Sequence, residues 1–79
     1  MWETWMIMGN DNKITYIIYC IDKFGMKFNL SSKQAYSYLK RYKGIDFIHN
    51  NYEAEHLLSF DDAVDDLTTI CKRNGGGLS

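Results

Sequence analysis

The residue with the clearest potential for chemistry is a histidine, His56, in the second half of the chain. It follows Tyr52 by four residues, so the two side chains would share one face of a helix. Two interpretations are open. His56 is either a core histidine whose ring nitrogen is satisfied by a backbone carbonyl or a carboxylate, or a polar contact in a groove for a partner. No Ser or Cys has a recognisable companion that would make it a nucleophile, so we predict no catalytic residues and no enzyme.

A second candidate for chemistry is a cluster of acidic residues near the C-terminus. It consists of Asp61, Asp62, Asp65 and Asp66. The cluster lacks the glycine and the terminal glutamate of a calcium-binding loop. Cys20 and Cys71 also have no CxxC spacing or paired histidines, as a metal site would need. We therefore predict no metal and no cofactor, and we assign the aspartates to helix capping and a solvated face.

A third candidate is a basic stretch that could contact nucleic acid. It contains Lys33, Lys40, Arg41 and Lys43. Residues 31–52 could form a helix-turn-helix, with residues 46–52 as the recognition helix. That segment carries no Arg or Lys, and the whole chain has a net charge of −1. We therefore predict against a nucleic-acid partner, and a helix-turn-helix DNA-binding regulator remains the alternative function.

Length and composition indicate the fold that must position these residues. The chain has 79 residues, 46% of them hydrophobic, and no proline, which fits one small helical domain. We predict an all-α fold, a compact bundle of about four short helices over residues 12–28, 32–42, 47–55 and 60–73. Residues 1–11 would be an N-terminal aromatic arm, residues 12–74 the helical domain and residues 75–79 a flexible tail.

Apolar spacing and capping residues set the predicted helix boundaries. The first helix has an apolar stripe of Ile14, Ile17, Ile18, Ile21, Phe24 and Phe28. Ser31 and Gln34 form a capping box for the second helix, and Gly44 would adopt the left-handed conformation at its end. Asp46 would cap the third helix, and Ser59 the fourth.

Twelve aromatic residues are more than so small a core needs. We therefore predict a partner-binding surface, because aromatic side chains dominate interface energetics. Its candidate residues are Trp2, Trp5, Tyr36, Tyr52 and His56. The two tryptophans have an alternative, which is to lie across the protein's own core. No apolar run is long enough for a membrane span or a signal peptide, so we expect a cytoplasmic protein.

Four segments carry a resemblance to a known family. They read ITYIIYCIDKF, NLSSKQAYSYLKRY, GIDFIHNNYEAEH and FDDAVDDL, in that order. From about residue 13 to residue 73 the chain resembles the bacterial family called domain of unknown function 3791. Family members usually show a leucine immediately before the histidine, where this chain has Glu55.

The resemblance implies a partner but no activity. Members of the family look like cytoplasmic helical proteins, and some lie beside a small protein that resembles an ADP-ribosyltransferase. The resemblance therefore implies a toxin–antitoxin or effector–partner pairing. We expect a non-enzymatic protein-interaction module whose partner is another protein, encoded next to it, or a second copy of the chain.

Overall fold

The computed structural model describes residues 11–77, which form five helices and no strand. In chain order these are α1 (Asp11–Phe28), α2 (Ser32–Arg41), α3 (Gly44–Asn50), α4 (Tyr52–Glu55) and α5 (Phe60–Arg73). The predicted all-α bundle is confirmed. Trp2, Trp5 and the rest of the arm up to residue 10 lie outside the described residues. No helix within residues 11–77 is both long and apolar enough to cross a membrane.

The core lies along one side of α1, where the other long helices pack. Its buried side chains are Cys20, Phe24, Ala35, Leu39, Ile48, Ala63, Val64, Leu67 and Cys71. The predicted stripe on α1 is wrong at two positions, since Ile14 is 59% exposed and Ile18 is 51% exposed. Cys20 and Phe24, which are four residues apart, define the buried line instead. The true stripe is thus rotated around α1 relative to the predicted one.

The predicted capping box begins α2 and is confirmed. The Ser31 hydroxyl accepts a hydrogen bond from the Gln34 backbone N–H at 3.1 Å. The Ser31 backbone N–H in turn donates to Gln34 Oε1 at 2.9 Å. These two bonds satisfy backbone donors that have no partner within the helix, and they fix the point at which the chain leaves α1.

The turn between α2 and α3 differs from the prediction. Lys43 has the left-handed conformation, with φ of 74°, whereas Gly44 is the first residue of α3 and is buried. A Cβ atom added at Gly44 would lie 2.7 Å from Leu39 Cδ2 and 3.1 Å from Cys71 Sγ. Close packing therefore requires this glycine. Asp46 lies in the first turn of α3 and does not cap it.

Gly44→Ala tests this packing. We expect the free energy of unfolding to fall by about 1–2 kcal/mol, because strain from overpacking exceeds the gain in helix propensity. Urea unfolding followed by circular dichroism measures the loss. Gly77→Ala is the matched control, since nothing lies within 4 Å of a Cβ at that position. Equal stability of the two variants would contradict the packing argument.

The third predicted helix, over residues 47–55, is two helices. It begins earlier, at Gly44, and breaks at Asn51, whose φ of −115° and ψ of 23° are not helical. The Asn51 side chain donates to the Phe47 carbonyl at 2.9 Å. Asparagine competes in this way with regular helix hydrogen bonding, and the break turns α4 in a new direction.

The last helix, α5, is capped at both ends. The Ser59 hydroxyl accepts from the Asp62 backbone N–H at 3.1 Å, as predicted. At the C-terminal end the Gly76 N–H donates to Cys71 O at 2.8 Å and the Gly75 N–H donates to Lys72 O at 3.2 Å. This is a Schellman motif, so Gly75 and Gly76 belong to the helix cap and not to the predicted tail of residues 75–79.

Candidate functional site

Five rings meet where α1, α4 and α5 converge. We call Tyr16, Tyr19, Tyr52, His56 and Phe60 the aromatic cluster. The ring of Tyr16 is central, with centroid distances of 5.5 Å to Tyr52, 6.4 Å to His56 and 5.6 Å to Phe60. Tyr19 extends the cluster by an edge contact with Phe60 at 6.0 Å. Ring contacts of this kind stabilise beyond simple area burial, so the cluster holds α4 against α1.

His56 lies on the surface of this cluster with a defined ring orientation. Its ring stacks on Tyr52 with centroids 4.6 Å apart and planes 15° apart. Nδ1 lies 2.9 Å from the Tyr52 carbonyl oxygen. Because a carbonyl only accepts, Nδ1 is the donor in this hydrogen bond. The carbonyl partner was predicted, but the core location was wrong, because the side chain is exposed.

Two leucines continue the cluster outward along the chain. Leu57 is 78% exposed and Leu58 is 40% exposed, and they stand between His56 and Phe60 in the sequence. Tyr19, at the other edge of the cluster, is 52% exposed. We call the cluster together with Leu57 and Leu58 the aromatic surface. Its rings are joined by contacts, and the two leucines are connected to them as neighbours in the sequence.

Beneath the aromatic surface lies a buried acid, Glu55. Its side chain is 7% exposed, and its Oε1 has no hydrogen-bond donor within residues 11–77. Burial, followed by a contact with the Asp66 carboxyl, raises the pKa of Glu55 to about 7. A proton on Glu55 lets one carboxyl donate to the other, which two carboxylates cannot do.

The groups that face Glu55 from α1 are also held in their neutral forms. The Tyr16 hydroxyl donates to the Glu55 backbone carbonyl at 2.9 Å. Burial raises the pKa of Tyr16 and, together with Glu55, that of the Cys20 thiol. A protonated thiol and a protonated phenol are poor nucleophiles. We therefore interpret the contacts of Tyr16 and Cys20 with Glu55 as packing contacts.

The acidic cluster does not converge on a metal site. The Asp65 carboxylate pairs with Lys27 Nζ at 2.8 Å, and Asp66 faces Glu55. Asp61 and Asp62 occupy the first turn of α5, where the helix dipole favours negative charge. Over residues 11–77, no three His, Cys, Asp or Glu side chains are grouped as metal ligands would be.

The structure brings together only two of the predicted site residues, Tyr52 and His56. Tyr36 lies on α2, is 43% exposed and has Lys40 Nζ 5.9 Å from its ring centroid. In the described part of the chain it makes no ring contact with Tyr52 or His56. Trp2 and Trp5, the remaining two, lie outside the described residues.

Sequence reasoning missed most of the aromatic surface. The missed residues are Tyr16, Tyr19, Leu57, Leu58 and Phe60. Tyr16 and Tyr19 lie three residues apart, the spacing of helix neighbours. The leucine pair directly precedes the Ser59 cap, which places two apolar side chains outside any helix. These two signals were available in the sequence.

Comparison with known proteins gives one match. The model of the family described as "Protein of unknown function (DUF3791)" matches residues 15–74. No curated protein and no solved structure matches the chain. The matched range contains the aromatic cluster, α2 to α5, and α1 from residue 15 onward.

Proposed function

This chain belongs to the DUF3791 family, and from that premise we propose that it is a non-enzymatic module that binds another protein through the aromatic surface. Exposed apolar area carries the proposal. Leu57 is 78% exposed and Leu58 40% exposed, and both lie in the sequence between the ring residues His56 and Phe60. Tyr19, which is 52% exposed, contacts the Phe60 ring. Contiguous apolar area of this kind marks interaction sites, and aromatic anchors supply most of the energy of an interface.

The acidic residues at the α4 and α5 edges of the aromatic surface favour a basic partner, whereas Lys13 lies at its α1 edge, with Nζ 5.9 Å from the Tyr52 ring centroid. Glu53 on α4 and Asp61 and Asp62 on α5 are all exposed. Within residues 11–77 none of the three has an ion-pair partner, because Lys27–Asp65 is the sole salt bridge there. Unpaired charges at the rim of an interface steer a partner of opposite charge and raise its association rate.

The finer identity of the partner comes from the resemblance stated above. We propose that the partner is an ADP-ribosyltransferase-like protein encoded next to this chain, which the chain binds as its antitoxin. A second copy of this chain, forming a homo-oligomer, is the competing candidate for binding to the same surface. We also propose that the protein acts in the cytoplasm, because its two unpaired thiols fit a reducing compartment.

The test is a binding measurement with the purified neighbouring protein. We expect the double variant Leu57→Ser and Leu58→Ser to weaken binding by at least about tenfold, because two exposed anchors are removed. Tyr36→Ser is the matched control, since Tyr36 is 43% exposed but lies on α2, which contributes no residue to this surface. Circular dichroism checks that both variants remain folded.

Three results would contradict the proposal. They are no binding by the wild type, equal loss in both variants, and no protection from the neighbour's toxicity. The test includes self-association, which sedimentation at several concentrations would detect.

DNA binding is the outcome that would favour the alternative function. Two successive helices joined by a short turn, α2 and α3, resemble a helix-turn-helix, but the turn has two residues where that motif has about three or four. However, α3 has seven residues, GIDFIHN, with no Arg or Lys. The recognition helices of DNA-binding regulators use Arg and Lys side chains to contact phosphate groups and guanine bases. A titration with promoter DNA whose affinity falls steeply with salt would replace the proposed protein partner.

A further inference from the structure

Residues 51–59 connect α3 to α5 and carry most of the aromatic surface, and we call them the α4 segment. Only one side chain of this segment is buried. It is Glu55, which is 7% exposed. Tyr52 is half-buried, and the other residues of the segment are exposed. The attachment of the α4 segment to the rest of the protein therefore depends on the surroundings of an acid.

The groups that face Glu55 include no cation. Asp66 faces it from α5, and Tyr16 and Cys20 face it from α1. The titratable side chains of α3, the helix that precedes α4, are both exposed, and they are Asp46 and His49. The sole salt bridge within residues 11–77 involves other side chains. In the described part of the chain, a negative charge on Glu55 would thus have no positive partner.

Ionisation of Glu55 makes the packed position of the α4 segment less favourable. A buried carboxylate needs hydrogen-bond donors or a cation, and Oε1 has no donor within residues 11–77. Burial and Asp66 raise the pKa of Glu55 to about 7, so the charge forms near neutral pH. If the segment moves away from α1 and α5, water can hydrate the carboxylate.

Few contacts oppose such an opening. The helix α4 has four residues, which is far below the length at which a helix is stable alone. The Tyr16 hydroxyl donates to the Glu55 carbonyl at 2.9 Å, and the Tyr16 and Tyr52 ring centroids are 5.5 Å apart. Regions with little buried apolar area open at a lower free energy than the core does.

We propose that the α4 segment opens separately from the rest of the fold and that loss of the Glu55 proton favours the open form. Since Tyr52, His56, Leu57 and Leu58 belong to this segment, opening takes the aromatic surface apart. The surface is then more complete below neutral pH than above it. The opening is a property of the chain alone. Its effect on a partner rests on the proposed function.

Amide hydrogen exchange followed by NMR at pH 5, 6, 7 and 8 tests the proposal without a partner. Each exchange rate is divided by the rate of an unstructured chain at the same pH, which gives an opening constant. The reporters are amides of the α4 segment with backbone hydrogen bonds of 2.8, 2.9 and 3.0 Å, namely those of Glu55, His56 and Leu58.

The opening constants of these amides are expected to rise by more than about tenfold between pH 5 and pH 8. The limit is about 70-fold, because the pKa of Glu55 is 4.5 when hydrated and about 7 when packed. The amide of Leu39, a buried residue of α2, is expected to stay at least about tenfold better protected at each pH.

Glu55→Gln removes the ionisable group and keeps the shape of the side chain. Its opening constants are expected to vary by less than about threefold over the same pH range. Glu53→Gln is the matched control, because Glu53 is exposed on the same helix, and it is expected to keep the wild-type pH dependence. If Glu55→Gln does not fold, Asp66→Asn replaces it, and a smaller rise than in the wild type is expected because a like charge is removed.

Four results would overturn the proposal. Opening constants in the wild type that do not change with pH would show that Glu55 does not control the segment. Equal protection of the α4 segment and of Leu39 would show that the segment opens only when the whole protein unfolds. An unchanged pH dependence in Glu55→Gln, or in Asp66→Asn where it is used, would assign the effect to another group. A lost pH dependence in Glu53→Gln would assign it to Glu53.

Discussion

Glu55→Gln is expected to stabilise the protein at pH 8 by up to about 3 kcal/mol and to remove most of its pH dependence between pH 5 and pH 8. The folded-state pKa of Glu55 is raised from 4.5 to about 7 by burial and by Asp66. Below pH 4.5 the carboxyl is neutral in both the folded and the unfolded chain. Between pH 4.5 and about 7 Glu55 is ionised in the unfolded chain but stays protonated in the folded protein, so the wild type loses stability across this range and the loss levels off above pH 7.

Urea unfolding at pH 5, 6, 7 and 8 measures the effect. Glutamine keeps the shape of the side chain and supplies a permanent donor toward Asp66. Glu53→Gln is the matched control, because Glu53 is an exposed carboxylate on the same helix. The explanation fails if the Glu55→Gln variant and the wild type lose equal stability between pH 5 and pH 8.

Phe24→Ala is expected to lower the free energy of unfolding by about 3–5 kcal/mol. Phe24 is fully buried, and its ring centroid lies 4.8 Å from Phe28 and 5.7 Å from Tyr38. Its loss therefore leaves a cavity between α1 and α2. A domain of this size has a total stability of about 4–12 kcal/mol, so a large fraction of the variant would be unfolded at 37 °C.

Thermal and urea unfolding followed by circular dichroism measure this loss. Met26→Ala, two residues away, removes a side chain that is 72% exposed, and it is expected to change stability by less than about 0.5 kcal/mol. Similar losses in both variants would show that the core does not centre on Phe24.

Local signals predicted most of the fold. The Ser31–Gln34 box and the Ser59 cap involve residues three apart, so the sequence displays them directly. The predicted C-terminal ends of the first and last helices, Phe28 and Arg73, also match. Such features depend on neighbours along the chain and need no knowledge of how the helices pack.

The predictions were wrong where packing between helices determines the conformation of a residue or the burial of its side chain. The sequence LKRYKG predicts a glycine in the left-handed position, but contact with Leu39 and Cys71 places Gly44 one residue later, inside α3. The spacing of three and four residues predicts that Ile14 and Ile18 lie on the core side of α1. The observed packing buries Cys20 and leaves Ile14 exposed. Which side of α1 meets the other helices is a tertiary property.

The candidate site was predictable only in part, for the same reason. Tyr52 and His56 are one turn apart and could be paired from the sequence alone. Their contacts with Tyr16 join α4 to α1, and the Tyr16 ring in turn stacks on Phe60 of α5. The break at Asn51 separates α4, which carries Tyr52 and ends just before His56, from α3.

The two thiols, described above as core side chains, are shielded from oxidants while the protein is folded. Cys20 and Cys71 are fully buried, and burial, opposed by the Gly44 backbone, raises the pKa of Cys71 to about 11. Peroxide or an alkylating reagent therefore meets a reactive thiolate only when the helices separate. The rate at which these two thiols are oxidised therefore depends on how often the folded domain opens. A destabilised variant would be oxidised before the wild type.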